Sequence, residues 1–364
     1  MRLDDLATPA LLLDLARLRR NLAAMAAAAA RHGVALRPHL KTAKSVEVAR
    51  LAVAGQAGGI TVSTLAEASA FAAAGFRDQI YAVGITPQKL DAVAALNARG
   101  AAVKVITDDL DTAAAIAAHP GPLAALIEVD VGEGRGGLAP EDPALPAIAA
   151  RLGPRLAGVL THAGHSYAGR SVAEMARIAE AERAGIVAAA ERLRTEGHAV
   201  PIVSIGSSPT ALHAATLAGV TELRAGVAMF GDLLQCQIHT GALEDIAVSV
   251  LASVIGRRPA LNRFLIDAGA LALSKDRSTE AAPRDWGYGL VVDRCGAASF
   301  GEAIVQRAWQ EHGLVACDRP LPFDRLAVGA RVRVLPNHSC LTAAAHPAYH
   351  VLDGGEESSP SGRA

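Results

Sequence analysis

Along most of the first two thirds of the chain, short runs of aliphatic and β-branched residues alternate with alanine-rich stretches whose apolar positions recur every three or four residues. Eight of the runs predict strands: "VALRPHL", "GGITVS", "QIYAV", "AVKVI", "PLAALIEVDV", "RLAGVLTH", "PIVSI" and "TELRAG". The stretches between them predict helices. Asp14 is placed to cap one whose apolar stripe is Leu15, Leu18, Leu22 and Met25, with Gly33 as its stop. Another spans 172–196, carries Met175, Ile178, Ile186 and Leu193 on one face, and stops at Gly197. Eight parallel strands alternating with helices are the sequence form of a (β/α)8 barrel of the TIM type; the open doubly wound sheet is the alternative.

After about residue 245 the rhythm changes to extended runs joined by loops. "VSVLASVIGRR", "NRFLIDAGALALS", "GLVACD", "ARVRVLPNHSC" and "YHVLDG" predict a smaller, mostly-β domain. The expected division is an α/β barrel over 9–244, a β domain from 1–8 plus 245–353, and a disordered tail at 354–364, "GGEESSPSGRA".

Length agrees with two domains, because 364 residues exceed the roughly 250–300 that one core accommodates. Apolar residues make up 51% and charged ones 20%, which fits a compact protein with a large core. A net charge of −1 and the lack of a dense lysine/arginine run argue against a nucleic-acid partner. Apolar runs are too short or interrupted for a membrane span, and the opening "MRLDDLATPALLLDL" has acids where a secretory signal carries bases, so a cytoplasmic protein is expected. Cys236, Cys295, Cys317 and Cys340 form no CxxC pair; a disulfide framework is not expected, and most read as small buried hydrophobes.

Barrel enzymes carry their chemistry at the C-terminal ends of the strands. Here the first strand ends at His39 and Lys41, and the fifth in "EVDVGEGRGG" with Arg135. The sixth ends in "THAGHSYAG" with His162, His165 and Tyr167, the seventh in "SIGSSPT" and the eighth in "RAGVAMFGD". "GSSPT" and "RAG" suit an anion, since glycines let N–H groups approach a phosphate and hydroxyls add donors; ordinary turns and caps are the other reading. A lysine beside a phosphate site suggests pyridoxal phosphate, whose aldehyde forms a Schiff base with an amine, and a dry pocket would make that amine a better nucleophile. In "VLPNHSCLT", His338 and Cys340 are two apart on an expected strand, so they would share a face and reach one metal ion; a buried thiol beside a core histidine is the alternative.

Together "RPHLKTAKS", "VDVGEGRGG", "GHSYAG", "SIGSSPT", "LIDAGALALSKD" and "PNHSCLT" resemble, in order, the D-threonine aldolase/D-serine dehydratase family: pyridoxal-phosphate enzymes with an alanine-racemase-type barrel and a β domain. The resemblance implies that Lys41 holds the cofactor and serves in catalysis, and that Arg135 hydrogen-bonds its phenolic oxygen. Tyr167 would border the pocket, while Gly206, Ser207, Ser208, Thr210, Gly226 and Val227 would receive the phosphate. His162 and His165 would line the substrate side as catalytic groups. The matching His338/Cys340 pair would bind a divalent metal, zinc by ligand softness, with manganese or magnesium as alternatives. The implied reaction is α,β-elimination of water from a D-serine-like D-3-hydroxy amino acid. Retro-aldol cleavage to glycine and an aldehyde is the alternative, and amino-acid racemisation a further one. A homodimer is also implied.

Overall fold

The structure, a computed structural model, describes residues 3–353 and the backbone of 356–362. The chain divides into two compact units: Ala23–Gly226 forms one, and the N-terminal stretch up to Leu22 joins the chain from Val227 onward in the other.

Strand β1 (Ala10–Asp14) belongs to the second unit, and the eight expected strands follow in the first. They are β2 (Ala35–Pro38), β3 (Ile60–Val62), β4 (Asp78–Gly84), β5 (Ala102–Thr107), β6 (Ala124–Val129), β7 (Leu156–Thr161), β8 (Ile202–Ile205) and β9 (Glu222–Ala225). All are parallel, in the order β2-β9-β8-β7-β6-β5-β4-β3, and the ends meet through a single bridge between His39 and Thr61. This is the (β/α)8 barrel, nearly closed, and Lys41 follows directly on the residues that close it.

Its helices begin where the sequence places caps. Ser45, Thr64, Asp109 and Ser171 accept N–H bonds at the starts of Val46–Val53, Leu65–Ala73, Leu110–Ala118 and Val172–Thr195, each cap contributing about 1 kcal/mol. Met175, Ile178, Ile186 and Leu193 are all buried, as their spacing predicts, and Gly197 follows at φ +89°. Helix Leu15–Arg31 starts with Asp14 accepting from the Arg17 N–H at 2.9 Å.

Polar contacts cross the barrel interior. Lys104 meets Asp78 at 2.6 Å, Asp78 meets Arg37 at 2.9 Å, and Arg37 meets Glu222 at 2.8 Å. The Ser204 hydroxyl donates to Glu222 at 2.6 Å and accepts from Arg224 at 2.6 Å. Arg37 and Glu222 are only 3% and 5% exposed, so each charge depends on its partner rather than on water.

The second unit continues with β10 (Val248–Arg258), β11 (Arg263–Ile266), β12 (Leu290–Asp293), β13 (Ile304–Ala308), β14 (Gly313–Ala316), β15 (Arg331–Leu335), β16 (Ala348–Asp353) and β17 (Glu356–Gly362). Six of them, β11-β14-β13-β12-β15-β10, close into an antiparallel barrel through the β10–β11 pairing, and β1, β16 and β17 extend the sheet beyond β10. Val250, Phe264, Ile266, Val291, Val305, Val315, Val332 and Val334 are fully buried side chains of this barrel, each contributing about 1.5–3 kcal/mol.

By its contacts the β unit gathers more of the chain than the expected division gave it: β1 pairs antiparallel with β10 and parallel with β16, and residues 227–244 also group with that unit. Within the expected disordered tail, 356–362 run antiparallel to β16 as an edge strand, because backbone pairing on an open edge needs no apolar side chains. Residues 354, 355, 363 and 364 lie outside the described residues. Finally, the four cysteines are free, but Cys295 is exposed and the others are half-buried. Among the described residues no helix is long and apolar enough to cross a membrane.

Candidate active site

Pro38 ends β2, and the next residues are pinned. Leu40 donates to Thr61 O at 2.8 Å, Leu40 and Thr42 are wholly buried, and Ser45 caps the following helix. Between them Lys41 projects, exposed, from a turn, and its own N–H donates to His39 Nδ1 at 3.4 Å. The sequence suggests a dry pocket for this amine; the structure places it in an accessible turn, since it follows the strand rather than lying within it. Burial, together with the positive charges of Lys41 and Arg224 and the His162 ring, pushes the His39 pKa well below the usual imidazole range, so His39 stays neutral.

The turns after β7 and β8 are locked together. His162 Nδ1 donates to the Gly206 carbonyl at 2.5 Å, and the buried hydroxyls of Ser166 and Ser207 meet at 2.9 Å. Ser207 Oγ also lies 2.9 Å from Thr210 Oγ1 and accepts the Thr210 N–H at 3.2 Å, while Ser208 N–H donates to the Tyr167 hydroxyl at 3.4 Å. Gly206 has φ +155°, and a Cβ there would stand 1.8 Å from Arg224 O; at Gly226 a Cβ would stand 2.9 Å from Thr42 Oγ1. Both glycines are required by close backbone approach. The helix that follows, Ser208–His213, is only six residues long, so the donors here are turn N–H groups and hydroxyls more than a helix dipole. Val227, next in the chain after Gly226, opens a short 3-10 turn and is buried.

The glycine-rich turn after β6 is organised by Asp130. Its Oδ1 accepts from Gly132, Glu133 and Gly134 at 3.0, 2.9 and 3.2 Å, and against the opposing effect of burial these N–H groups hold the carboxyl below its ordinary range. Arg135 stands on this turn, 55% exposed, with its guanidinium 3.4 Å from Glu133 and 4.0 Å from Glu128. Burial, with Asp108 and Glu133 nearby, raises the Glu128 pKa against the pull of Arg135. His165 lies under the turn, its ring 3.6 Å from where a Gly132 Cβ would be, and its buried Nδ1 has no hydrogen-bond partner.

These elements meet at His162. Burial, together with the positive charges of Arg135, Arg224 and Lys41, brings its pKa down to about 3, overcoming the bond to Gly206. The Tyr167 ring lies 6.5 Å away, centroid to centroid. The barrel therefore gathers Lys41, Arg135, His162, Tyr167 and the Gly206–Thr210 turn at one mouth. Sequence reading missed Arg224 and Glu182, because a buried charge inside a strand or helix leaves no local pattern, and it missed the half-buried Asp130, whose partners are backbone N–H groups.

In the β unit the His338/Cys340 pair is placed differently from the expectation. β15 ends at Leu335; His338 is the extended N-cap residue of the helix Ser339–Ala344, and Cys340 lies in that helix's first turn. The two side chains interact not by strand alternation but because the chain turns sharply at the cap. His338 Nδ1 is 3.0 Å from Asp276 Oδ2, and buried Asp232 accepts the Ser339 N–H at 3.0 Å. Although burial opposes it, the hydrogen bonds to Asp276 and Cys340 and the charge of Asp232 push the His338 pKa up to about 11. No group of three or more His, Cys, Asp or Glu side chains suited to a metal occurs among the described residues.

With this geometry in hand, comparison with known proteins decides the family. Residues 13–233 match the model of the alanine racemase N-terminal domain, and 247–352 that of a putative serine dehydratase domain. The chain belongs to this family. The D-threo-3-hydroxyaspartate dehydratase of Delftia sp. (strain HT23) is 46% identical over 357 residues, covering 95% of this chain and 94% of that protein. The D-serine dehydratase of Dictyostelium discoideum is 29% identical, covering 96% and 94%, and the D-threonine aldolase of Arthrobacter sp. is 31% identical, covering 95% and 88%. A solved structure of the Delftia dehydratase superposes with a TM-score of 0.96 at 44% identity, covering 100% of this chain and 99% of that one.

With dehydratases and an aldolase as its full-length relatives, the chain is a pyridoxal-phosphate-dependent lyase. The racemase-type family match begins at residue 13, inside β1, and hydrogen bonding places the strand in the sheet of the β unit.

Proposed function

We propose that this chain is a dehydratase of D-3-hydroxy amino acids, removing water from Cα and Cβ to give, after hydrolysis, a 2-oxo acid and ammonia. The near-full-length identity of 46% to a D-threo-3-hydroxyaspartate dehydratase carries the reading, and shifts the favoured substrate from D-serine toward D-3-hydroxyaspartate.

The barrel mouth suits pyridoxal phosphate. Gly206 and Gly226 let the strand-end turns close up against Arg224 and against Thr42 and His39, N–H groups and hydroxyls line the 206–210 turn, and a lysine and two arginines supply positive charge. Lys41 would hold the group, Gly206, Ser207, Ser208 and Thr210 its phosphate, and Arg135 its phenolic oxygen. When bound, it supplies a sink for the electron pair left at Cα. Lys41 is placed to take the proton from Cα, and the neutral His39 beside it, already accepting the Lys41 N–H at Nδ1, does not compete for that proton. His162, with its proton committed to Gly206 O, offers an uncharged Nε2 as a fixed acceptor.

His338 and Cys340 suit a divalent cation. A bound ion would displace the proton from the imidazole and from the thiol, Asp276 on Nδ1 would orient the ring, and imidazole plus thiolate would select zinc over harder ions. Such an ion would supply Lewis-acid assistance to a leaving hydroxyl. A relative of 44% identity, a cysteine-to-alanine mutant of the D-threo-3-hydroxyaspartate dehydratase, is described as the metal-free form, which supports a cysteine ligand here.

A product assay tests the reading: supply D-threo-3-hydroxyaspartate, D-serine and D-threonine separately and quantify products. A 2-oxo acid with ammonia is the expected result. Glycine with an aldehyde would establish the aldolase reading that the 31% identical D-threonine aldolase supports. An L-amino acid as the sole product would establish a racemase.

A further inference from the structure

Glu182 lies on the helix Val172–Thr195 and is wholly buried, where an apolar side chain would pack without dehydrating a carboxylate. Its Oε1 accepts the Gly206 N–H at 3.0 Å. Burial raises its pKa, opposed by the Thr210 hydroxyl, the Gly206 N–H, the Arg224 charge and the Ala163 N–H. Of these, the Gly206 N–H is the hydrogen bond the geometry gives; the second oxygen, Oε2, is buried with no hydrogen-bond partner. Gly206 is gripped on its other side as well, since its carbonyl accepts from His162. It stands at φ +155°, where an added Cβ would meet Arg224 O at 1.8 Å, so only glycine fits the turn these bonds hold.

We propose that Glu182 is a positioning residue for the cofactor phosphate. It would act through Gly206 and not on the cofactor: holding the Gly206 N–H fixes the start of the 206–210 turn, so that the turn's remaining N–H groups and hydroxyls converge on one anion. Arg224 compensates the negative charge this places beneath the cradle. The inference rests on the pyridoxal-phosphate reading of the barrel mouth and adds a residue to it from outside the mouth.

The test compares pyridoxal phosphate with pyridoxal, which lacks the phosphate, by absorbance titration of the full chain. The variants are Glu182→Met, which keeps the volume and removes the acceptor, and Glu182→Gln, which keeps one acceptor for Gly206. Wild type should bind the phosphorylated form far more tightly. Glu182→Met should weaken pyridoxal phosphate by about tenfold or more and leave pyridoxal within about threefold, while Glu182→Gln stays within about threefold of wild type for both. If Glu182→Met weakens both ligands alike, or neither, the proposal fails. Should that variant not fold, Glu182→Gln decides: loss of about tenfold in its preference for the phosphorylated ligand refutes a role that one acceptor can fill, and retention supports it. Wild type that binds neither ligand overturns the cofactor reading itself, and this inference with it.

Discussion

The Nδ1 proton of His162 is committed to the carbonyl of Gly206, 2.5 Å away, so the tautomer of the ring is set by the turn after β8. With a folded-state pKa of about 3 against an ordinary 6.5, the ring stays neutral where the unfolded chain would take up a proton. The unfolded state therefore binds more protons between these values, and stability falls as pH drops from 6.5 toward 3, by up to about 1.4 kcal/mol per pH unit from this group. Above 6.5 it has no effect. His39 acts in the same direction, so the difference between wild type and His162→Gln isolates His162. Urea denaturation at several pH values between these limits measures it, and parallel curves for the two proteins would show that the ring is not held neutral.

Arg37 and Glu222 meet at 2.8 Å inside the barrel, almost without solvent. Glu222→Gln should cost about 3 kcal/mol, because it leaves a buried guanidinium short of its counter-charge. Arg37→Met combined with Glu222→Leu should recover part of that loss. Equilibrium urea midpoints check both, and a single variant as stable as wild type would mean that Asp78 alone satisfies Arg37.

Lys41 stands in an accessible turn between pinned neighbours, so its replacement should not disturb the fold. Lys41→Ala is expected to remove the visible absorbance of the lysine-bound cofactor and to lower turnover by about a thousandfold or more, with thermal unfolding unchanged. A folded variant that keeps the wild-type visible spectrum would assign the cofactor to another amine.

His338 and Cys340 interact at a helix cap, with Asp276 on the imidazole Nδ1. Chelation should abolish activity and added zinc restore it. Cys340→Ala should lose the metal, and Asp276→Asn should weaken metal affinity by about 10- to 100-fold through the orientation of His338. Elemental analysis of dialysed protein reads each variant. Full turnover by exhaustively metal-free wild type would remove the metal from the reaction.

The eight strand runs, the helix stripes and the Asp14 cap were legible because each is a short-range pattern with a local physical cause. The strand-end motifs at Lys41, Arg135, His162 and Gly206 were legible for the same reason, since a barrel turns every strand end toward one face. β1, β12 and β13 were missed as members of the β sheet. The partners of β1 lie far along the chain, and four or five residues carry too little period to announce themselves. The geometry of His338 and Cys340 was misread, because an i,i+2 spacing has one meaning on a strand and another across a helix cap.

The sequence by itself determined the alternation that builds the barrel, the switch to an all-β second part, and which residue types stand at the strand ends, since these depend on periodicity and capping within a few residues. Only the tertiary structure decided which buried charges serve them. Glu182 comes from a helix, Arg224 from the last barrel strand and Asp276 from a loop far from His338; none has a neighbour in sequence that explains it. A carboxylate or guanidinium out of water is stable only where distant groups converge on it, and that convergence is set by the packing of strands and helices.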